Sequence, residues 1–370
     1  MNAKWGGIAA GLLLFAAGAG AAEQPASGAA AVIEQFGLEQ AATPVSERPG
    51  WRKPQRILVL GSIPRAVELL QPYAPGVELV VAKPGEEAKQ AANVDALIGL
   101  CNPAVLAAGN SIKWIQMLSA GVERCVSIPA VRERDILVTN MQRISGPVIA
   151  EHVMAMALGF VRGIDGYVRL QEHRDWQRNP PPGRRMSVVQ GKTMLVVGLG
   201  GIGTEVARRA HALGMKVTAT RNSSRTGPEF VSYVGLPDEL TKLAAQADFV
   251  VNCAPLTPET TGIFDAKFFA QMKPTAYFIN IARGGSVVTS ALLEALTSNK
   301  IAGAGLDVTD PEPLPADHPL WKAPNVIITP HIANESDLGS DTEISVAQEN
   351  LRRYVAGERM LSVVDVSRGY

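Results

Sequence analysis

Val196-Val197-Gly198-Leu199-Gly200-Gly201-Ile202-Gly203 decides the fold of this chain. The stretch opens as a short apolar run, turns on a G-x-G-x-x-G spacing, and continues into the helical pattern Thr204-Glu205-Val206-Ala207-Arg208-Arg209-Ala210. Strand, glycine turn and helix in that order make the phosphate-binding unit of a dinucleotide site. Gly198 permits the tight turn, Gly200 lets backbone approach a pyrophosphate, and Gly203 lets helix and strand pack closely. Gly201 and Ile202 complete the helix N-terminus, whose free N–H groups and partial positive charge face that pyrophosphate. A glycine-rich turn with no ligand is the competing explanation, and the flanking strand and helix weigh against it.

Working outward, apolar runs near 193–197, 215–220, 248–252, 276–281, 301–306 and 326–328 alternate with helical signals such as 202–213. Upstream, runs at 56–60, 77–81, 96–100, 112–118 and 136–138 alternate with helical or turn segments at 64–70 and 103–108. Each series reads as a parallel α/β domain. Residues 146–176 read as one long amphipathic stretch with Pro147 in its first turn, ended by Pro180-Pro181-Pro182-Gly183. Two α/β domains in one chain leave a cleft between them, the usual place for a ligand.

The 370 residues suffice for two such cores. Lys+Arg and Asp+Glu both number 35, so the chain lacks the electrostatic footprint of a nucleic-acid binder. Cys101, Cys125 and Cys253 are too few and too scattered for a disulfide framework or a metal site. They read as buried small apolar residues, with a Cys101–Cys125 bridge left open. Residues 1–22 read as a secretory signal: Lys4, an apolar stretch containing Leu12-Leu13-Leu14-Phe15, then small residues through Ala22. The expectation is an exported, periplasmic protein with no stable membrane span once mature; the alternative is a cytoplasmic protein with an Ala-rich extension. Export would separate a dinucleotide enzyme from the cytoplasmic cofactor pool. Residues 23–53, rich in Ala, Gly and Pro, read as a linker or surface arm with a short helix at 30–40.

The second strand of the nucleotide domain ends at Thr218-Ala219-Thr220, followed by Arg221, Ser223 and Arg225. Arg221 stands 18 residues after Gly203, near where an NAD-binding protein carries an acid for the ribose 2′-hydroxyl. A guanidinium there binds a 2′-phosphate that a carboxylate would repel. NADP(H) is therefore expected in preference to NAD(H), which stays possible; a solvated basic loop is the competing explanation.

Asn252-Cys253-Ala254-Pro255-Leu256-Thr257-Pro258-Glu259-Thr260, Asn280-Ile281-Ala282-Arg283-Gly284-Gly285, Gly305-Leu306-Asp307-Val308-Thr309-Asp310-Pro311-Glu312-Pro313 and Thr329-Pro330-His331-Ile332-Ala333 resemble the D-isomer-specific 2-hydroxyacid dehydrogenases. The branch they look most like is that of the glyoxylate and hydroxypyruvate reductases. The resemblance implies a Rossmann domain (147–333) inserted into a flavodoxin-like substrate domain (54–146 and 334–370), both doubly wound parallel sheets. It also implies a homodimer meeting across the 146–170 region. Arg283, Glu312 and His331 match the family's catalytic triad, Cys253, Ala254, Pro255 and Ala282 its cofactor loops, and Asp307 a position near the nicotinamide. Ala120, Gly121 and Val122, within Leu118-Ser119-Ala120-Gly121-Val122-Glu123, match the loop whose amides hold the substrate carboxylate.

Chemistry supports the same triad independently. Reducing a 2-keto acid requires a hydride on one carbonyl face, a proton for the oxygen and a cation for the carboxylate. An unperturbed imidazole, with a pKa of about 6.5, keeps both states of His331 accessible near neutrality. Glu312 would stabilise its imidazolium and fix its tautomer, while Arg283 offers a planar fork to carboxylate and carbonyl. Taken singly, Arg283 could be a surface charge, Glu312 a solvated acid, His331 a satisfied loop histidine and Asp307 a turn cap. His152 reads as an interface or core residue, and Trp114 and Trp321 as packing residues. Alternatives on the same fold are a cofactor-sensing binding protein, like the family's corepressors, and a phosphite- or formate-type dehydrogenase.

Overall fold

The computed structural model describes residues 26–62, 65–180, 186–337 and 339–369; the signal-like segment 1–22 lies outside them. Five short strands come first: β1 (Arg56–Val59), β2 (Glu78–Val81), β3 (Ala96–Ile98), β4 (Trp114–Gln116) and β5 (Leu137–Thr139). They pair in parallel in the order β2-β1-β3-β4-β5, the flavodoxin-like arrangement. Seven more follow: β6 (Thr193–Val197), β7 (Lys216–Thr220), β8 (Tyr233–Gly235), β9 (Phe249–Asn252), β10 (Tyr277–Asn280), β11 (Gly303–Leu306) and β12 (Val326–Ile328). Their order, β12-β11-β10-β9-β6-β7-β8, reverses direction between β6 and β9, as in a Rossmann sheet. Helices cover both faces, so β3, β4, β5, β9, β10 and β11 are buried along their whole length.

Strand alternation sorts side chains into the layers on either side of the second sheet. Met194 and Val196 point into the core beneath the helix Gly146–Arg162, while Leu195 and Val197 enter the opposite core with Phe264 and Phe278. The helix Gly146–Arg162 contributes Ile149, Val153, Met156 and Phe160 to its layer. It approaches β11 so closely that an added Cβ on Gly305 would stand 2.6 Å from the Met156 sulfur. The chain then bends by 71° at Gly163, which has φ 62°, into a separate helix Ile164–Glu172. The single long helix expected over 146–176 is thus two, because a glycine in the left-handed region ends the first. Among the described residues no single helix is long and apolar enough to cross a membrane.

After β12 the chain returns to the first sheet. The helix Gly339–Ala356 places Val346, Ala347, Leu351 and Tyr354 in one core with Ile57, Val59 and Trp114. Trp114 stacks on Tyr354 with ring centroids 4.6 Å apart, and its indole N–H donates to Thr139 Oγ1 at 2.9 Å. The nucleotide-binding domain is therefore inserted between the five-stranded sheet and the helix that covers it. Trp321, by contrast, is half-exposed rather than packed, its indole N–H donating to the Pro315 carbonyl at 2.8 Å.

The N-terminal segment is not a free linker. Its helix Ala26–Phe36 lays Val32, Ile33 and Phe36 against the core that holds the helix Gly339–Ala356. Leu38 and Val45 are buried, and Gln40 forms an antiparallel bridge with Leu361. Backbone bonds from Ala41 to Met360 (2.8 Å) and from Val45 to Glu358 (2.9 Å) extend that seam. Of the alternatives left open for the cysteines, the bridge is the one formed: Cys101 and Cys125 make a disulfide.

Candidate active site

Parallel register aligns one residue from every strand of the second sheet: Gly235, Thr220, Val197, Asn252, Asn280, Leu306 and Ile328 pair in a continuous row. All strands run the same way, so the loops leaving that row emerge on one edge. Gly198 follows the row directly after β6, Arg221 after β7, Cys253 after β9 and Asp307 after β11. Arg283 and His331 lie three residues beyond β10 and β12.

The glycine turn fits a dinucleotide. Gly198 has φ 93°, and a Cβ there would meet the Ala254 backbone at 2.8 Å. A Cβ on Gly203 would stand 2.1 Å from the Gly198 carbonyl oxygen, so only glycine lets this helix sit on β6. Gly200 is different: nothing lies within 4 Å of an added Cβ, leaving its surface open for a ligand to approach. Beyond it begins the helix Gly201–Ala212, whose first N–H groups have no intrahelical partner. These residues adjoin a cavity of about 590 Å³ that Arg221, Thr226, Gly227 and Pro228 also line. Arg221 thus reaches the cavity, donating to the Thr226 carbonyl at 3.2 Å. Ser223 is exposed. Arg225 is held by Glu239 and by the Tyr233 hydroxyl. The hydroxyl of Tyr233, the Leu236 N–H and Arg225 together hold the Glu239 carboxyl down to about 2.

Buried amides fix the next two loops. The side-chain amide of Asn252 donates to Asn280 Oδ1 (3.0 Å) and Ser286 Oγ (2.8 Å), while Ala254 N–H donates back to Asn252 Oδ1 at 3.1 Å. Asn280 and Ser286 both donate to the Arg283 carbonyl, at 3.0 and 2.7 Å, fixing the backbone at Arg283. Ala282 N–H is bound to Asn280 Oδ1 at 3.1 Å. Pro255 accepts from Thr260 at 2.6 Å. Burial pushes the Cys253 thiol far above its usual range, so it stays uncharged where it packs against the core beneath the helix Gly146–Arg162.

The Arg283 guanidinium crosses to the other domain. It meets Glu123 Oε2 at 3.2 Å, and a Cβ on Gly121 would fall 1.7 Å from Arg283 Nη2. Gly121 therefore has to be glycine for the arginine to lie against this loop. The loop itself is tied down: Asn140 Nδ2 donates to the Ala120 carbonyl at 2.7 Å, and Ser119 Oγ donates to the Gly121 carbonyl at 2.8 Å. Val122 turns its side chain into the domain core, so only its backbone is available to a ligand. The disulfide fastens the following helix, Glu123–Val126, to the residue three places beyond β3.

At the far edge, Asp307 is buried and organises the loop after β12. It accepts from Thr329 Oγ1 (2.6 Å), Ile332 N–H (2.9 Å) and Ala333 N–H (3.0 Å), and its carbonyl accepts from His331 N–H at 2.8 Å. This anchoring holds His331 at φ 57°, a conformation uncommon for a residue with a side chain. His331 Nδ1 lies 2.7 Å from Glu312 Oε1. A carboxylate only accepts, so Nδ1 carries the proton of that bond and Nε2 remains for exchange. A chain of contacts joins the loop that carries Arg283 to the Glu312 partner of His331. Gly284 packs against Thr309, where an added Cβ would stand 1.9 Å from the carbonyl oxygen, and Thr309 N–H reaches Glu312 at 3.5 Å. His152 is half-buried and bonded to Thr329 Oγ1 at 3.0 Å, joining the Asp307 network.

Fold and cleft together define a dinucleotide-dependent oxidoreductase. Residues 154–333 match the model of the D-isomer specific 2-hydroxyacid dehydrogenase NAD-binding domain. The chain is 34% identical over 273 residues to glyoxylate/hydroxypyruvate reductase A of Photorhabdus laumondii, covering 72% of this chain and 84% of that protein. It is 35% identical over 260 residues to the human glyoxylate reductase/hydroxypyruvate reductase, covering 69% and 78%. The NADPH-dependent glyoxylate/hydroxypyruvate reductase of Sinorhizobium meliloti, solved with NADP and sulfate, superposes with a TM-score of 0.74 at 29% identity, over 85% of this chain and all of that one. The protein belongs to the D-isomer-specific 2-hydroxyacid dehydrogenase family, in its glyoxylate/hydroxypyruvate reductase-like branch, and acts on a CH–OH group with an NAD(P) cofactor.

Sequence reasoning missed Glu123, Thr329 and the part His152 plays. Glu123 was visible as an acid next to a glycine loop, but its partner lies 160 residues away in the other domain. We expect Gly121→Ala to displace the Arg283 guanidinium and raise the 2-keto-acid KM about tenfold or more, the equivalent of ~1.4 kcal/mol, with NADPH affinity unchanged. Steady-state kinetics beside a direct NADPH titration checks this; an unaltered KM would show that the guanidinium is not seated by this loop.

Proposed function

We propose that the protein reduces small 2-keto acids of the glyoxylate or hydroxypyruvate type to D-2-hydroxy acids, with His331 as proton donor and NADPH as the preferred reductant. The observation that carries this reading is the 2.7 Å His331–Glu312 pair, on a loop leaving the same sheet edge as the one whose Arg283 guanidinium meets Glu123 of the other domain. A bound dihydronicotinamide supplies the hydride. Arg283, directed at the Gly121 loop, orients the substrate carboxylate, and the backbone N–H groups of 120–122 complete that pocket. His331 Nε2 delivers a proton to the carbonyl oxygen, and Glu312 stabilises the imidazolium on either side of the transfer. Asp307 acts through the loop: its oxygens are occupied by Thr329, Ile332 and Ala333, so it positions His331. His331→Ala should lower kcat by about 10²–10⁴-fold, the usual worth of a positioned acid–base group. NADPH affinity should stay within about threefold; stopped-flow hydride transfer at the wild-type rate in this variant would refute the assignment.

For the cofactor, the reading favours Arg221 as the 2′-phosphate partner, because it lines the cavity while Arg225 is neutralised by Glu239. Arg221→Asp should turn the NADPH preference toward NADH, whereas Arg225→Ala should leave the NADPH-to-NADH ratio within about threefold. Parallel titrations with both dinucleotides decide it; an Arg221→Asp protein that still prefers NADPH would end this cofactor assignment.

The same reading includes a homodimer. Leu158, Ile164, Val168, Trp176 and Val188 are exposed apolar residues along and after the bent helix pair, and Trp176 is 93% exposed. A second copy covering this face would bury them. Val168→Asp with Ile164→Asp should give a monomer by sedimentation; a wild-type chain that is itself monomeric at micromolar concentration would remove the dimer.

A further inference from the structure

The cavity beside the glycine turn has two walls, and only one belongs to the nucleotide-binding domain. Leu199, Gly200, Arg208 and Arg221 form the first. The second is Glu34, Gln35, Phe36 and Gly37, the end of the N-terminal helix Ala26–Phe36, together with Arg143. At about 590 Å³ this open cleft is of the size that ligand sites occupy.

Arg143 joins the two walls. It sits in the left-handed region at φ 76°, and its backbone and Cγ lie against Gly201, whose added Cβ would stand 2.8 Å from Arg143 Cγ. Its guanidinium pairs with Glu39 of the arm, and an added Cβ on Gly37 would stand 3.6 Å from Nη1. One arginine therefore spans from the start of the phosphate-facing helix to the segment that closes the cavity. Three arginines, Arg143, Arg208 and Arg221, line this space. Two acids also line the space: Glu205, engaged by Arg208 and Arg209, and Glu34 on the arm, so the three arginines leave an excess of positive charge. The arm is not lying there by chance contact: it is sewn to the segment after the C-terminal helix through Gln40–Leu361, Ala41–Met360 and Val45–Glu358, and its apolar face is packed.

We infer that residues 34–37 and Arg143 are part of the dinucleotide site: the arm covers the adenosine half of the cofactor, and Arg143 shares its charge between Glu39 and the cofactor phosphates. The inference rests on the dinucleotide reading of the glycine turn and goes beyond it. A cofactor so covered leaves only when the arm lifts, so the arm sets its release rate. Covering one half alone also predicts which ligand fragments feel the arm.

The test compares the full chain with a chain trimmed to begin at Leu38 and with full-length Arg143→Gln. NADPH release is followed by the loss of dihydronicotinamide fluorescence after mixing with excess NADP⁺, and 2′,5′-ADP and nicotinamide mononucleotide are titrated calorimetrically. Support would be NADPH release at least about tenfold faster in both variants, weaker 2′,5′-ADP binding by a similar factor, and nicotinamide mononucleotide binding unchanged. Circular dichroism and the thermal unfolding midpoint verify that the variants remain folded. Release rates and 2′,5′-ADP affinities equal to wild type in folded variants would overturn the arm's role while leaving the dinucleotide site in place. No NADPH binding by the full chain would remove both.

Discussion

Strand register is the constraint on which the site depends. Six parallel pairings carry one row from Gly235 through Thr220, Val197, Asn252, Asn280 and Leu306 to Ile328. At strand spacings of 4.7–4.9 Å the row is about 30 Å long, so groups far apart in sequence leave the sheet side by side. A one-residue slip of β12 would send every side chain of that strand to the opposite face and take His331 away from Glu312. The seven-stranded sheet guards against this by being buried between two apolar layers, where the alternation of Met194, Leu195, Val196 and Val197 admits a single register.

Beyond the row, precision comes from polar groups buried with their partners. Asn252, Asn280 and Ser286 are each almost inaccessible and close a ring of hydrogen bonds around the Arg283 carbonyl. Removing one member would strand the others away from water, so the ring holds as a unit. Asp307 does the same for the His331 loop. The Arg283–Glu123 contact is of another kind. Both side chains are about one-third exposed, and such a pair contributes at most ~1 kcal/mol. An arriving carboxylate can therefore exchange with Glu123 at the guanidinium without a large barrier.

Much of this was legible in the residues. Apolar runs at 193–197 and 326–328 match β6 and β12 to the residue, and Asn102 before Pro103 caps the expected helix there, its side chain accepting from Val105 N–H. The strand β8 was missed because Tyr233-Val234-Gly235 is too short to show a period and is held by pairing to β7. The bend at Gly163 was missed because apolar spacing continues through it, while a single glycine at φ 62° redirects the chain. Trp321 and the cysteines show the limit of composition: an indole satisfied by a local carbonyl stays at the surface, and two thiols 24 residues apart meet only when β3 and the helix Glu123–Val126 are neighbours. The arm was misleading for the same reason. Its Ala-rich composition looks like linker, yet its partners Val346, Ala347 and Leu351 lie at the other end of the chain.

The Cys101–Cys125 bridge ties the loop before Glu123 to the first sheet by a covalent bond. Disulfides persist in oxidising compartments and are opened by the glutathione and thioredoxin systems of the cytosol. The bridge staples the helix that begins immediately after Val122 to the loop three residues beyond β3, a central strand. Opened, that helix keeps only its packing and the cross-cleft contact of Glu123. The loop 119–122 is thus held to the first sheet by a covalent bond as well as by the packing of Val122 and Val126.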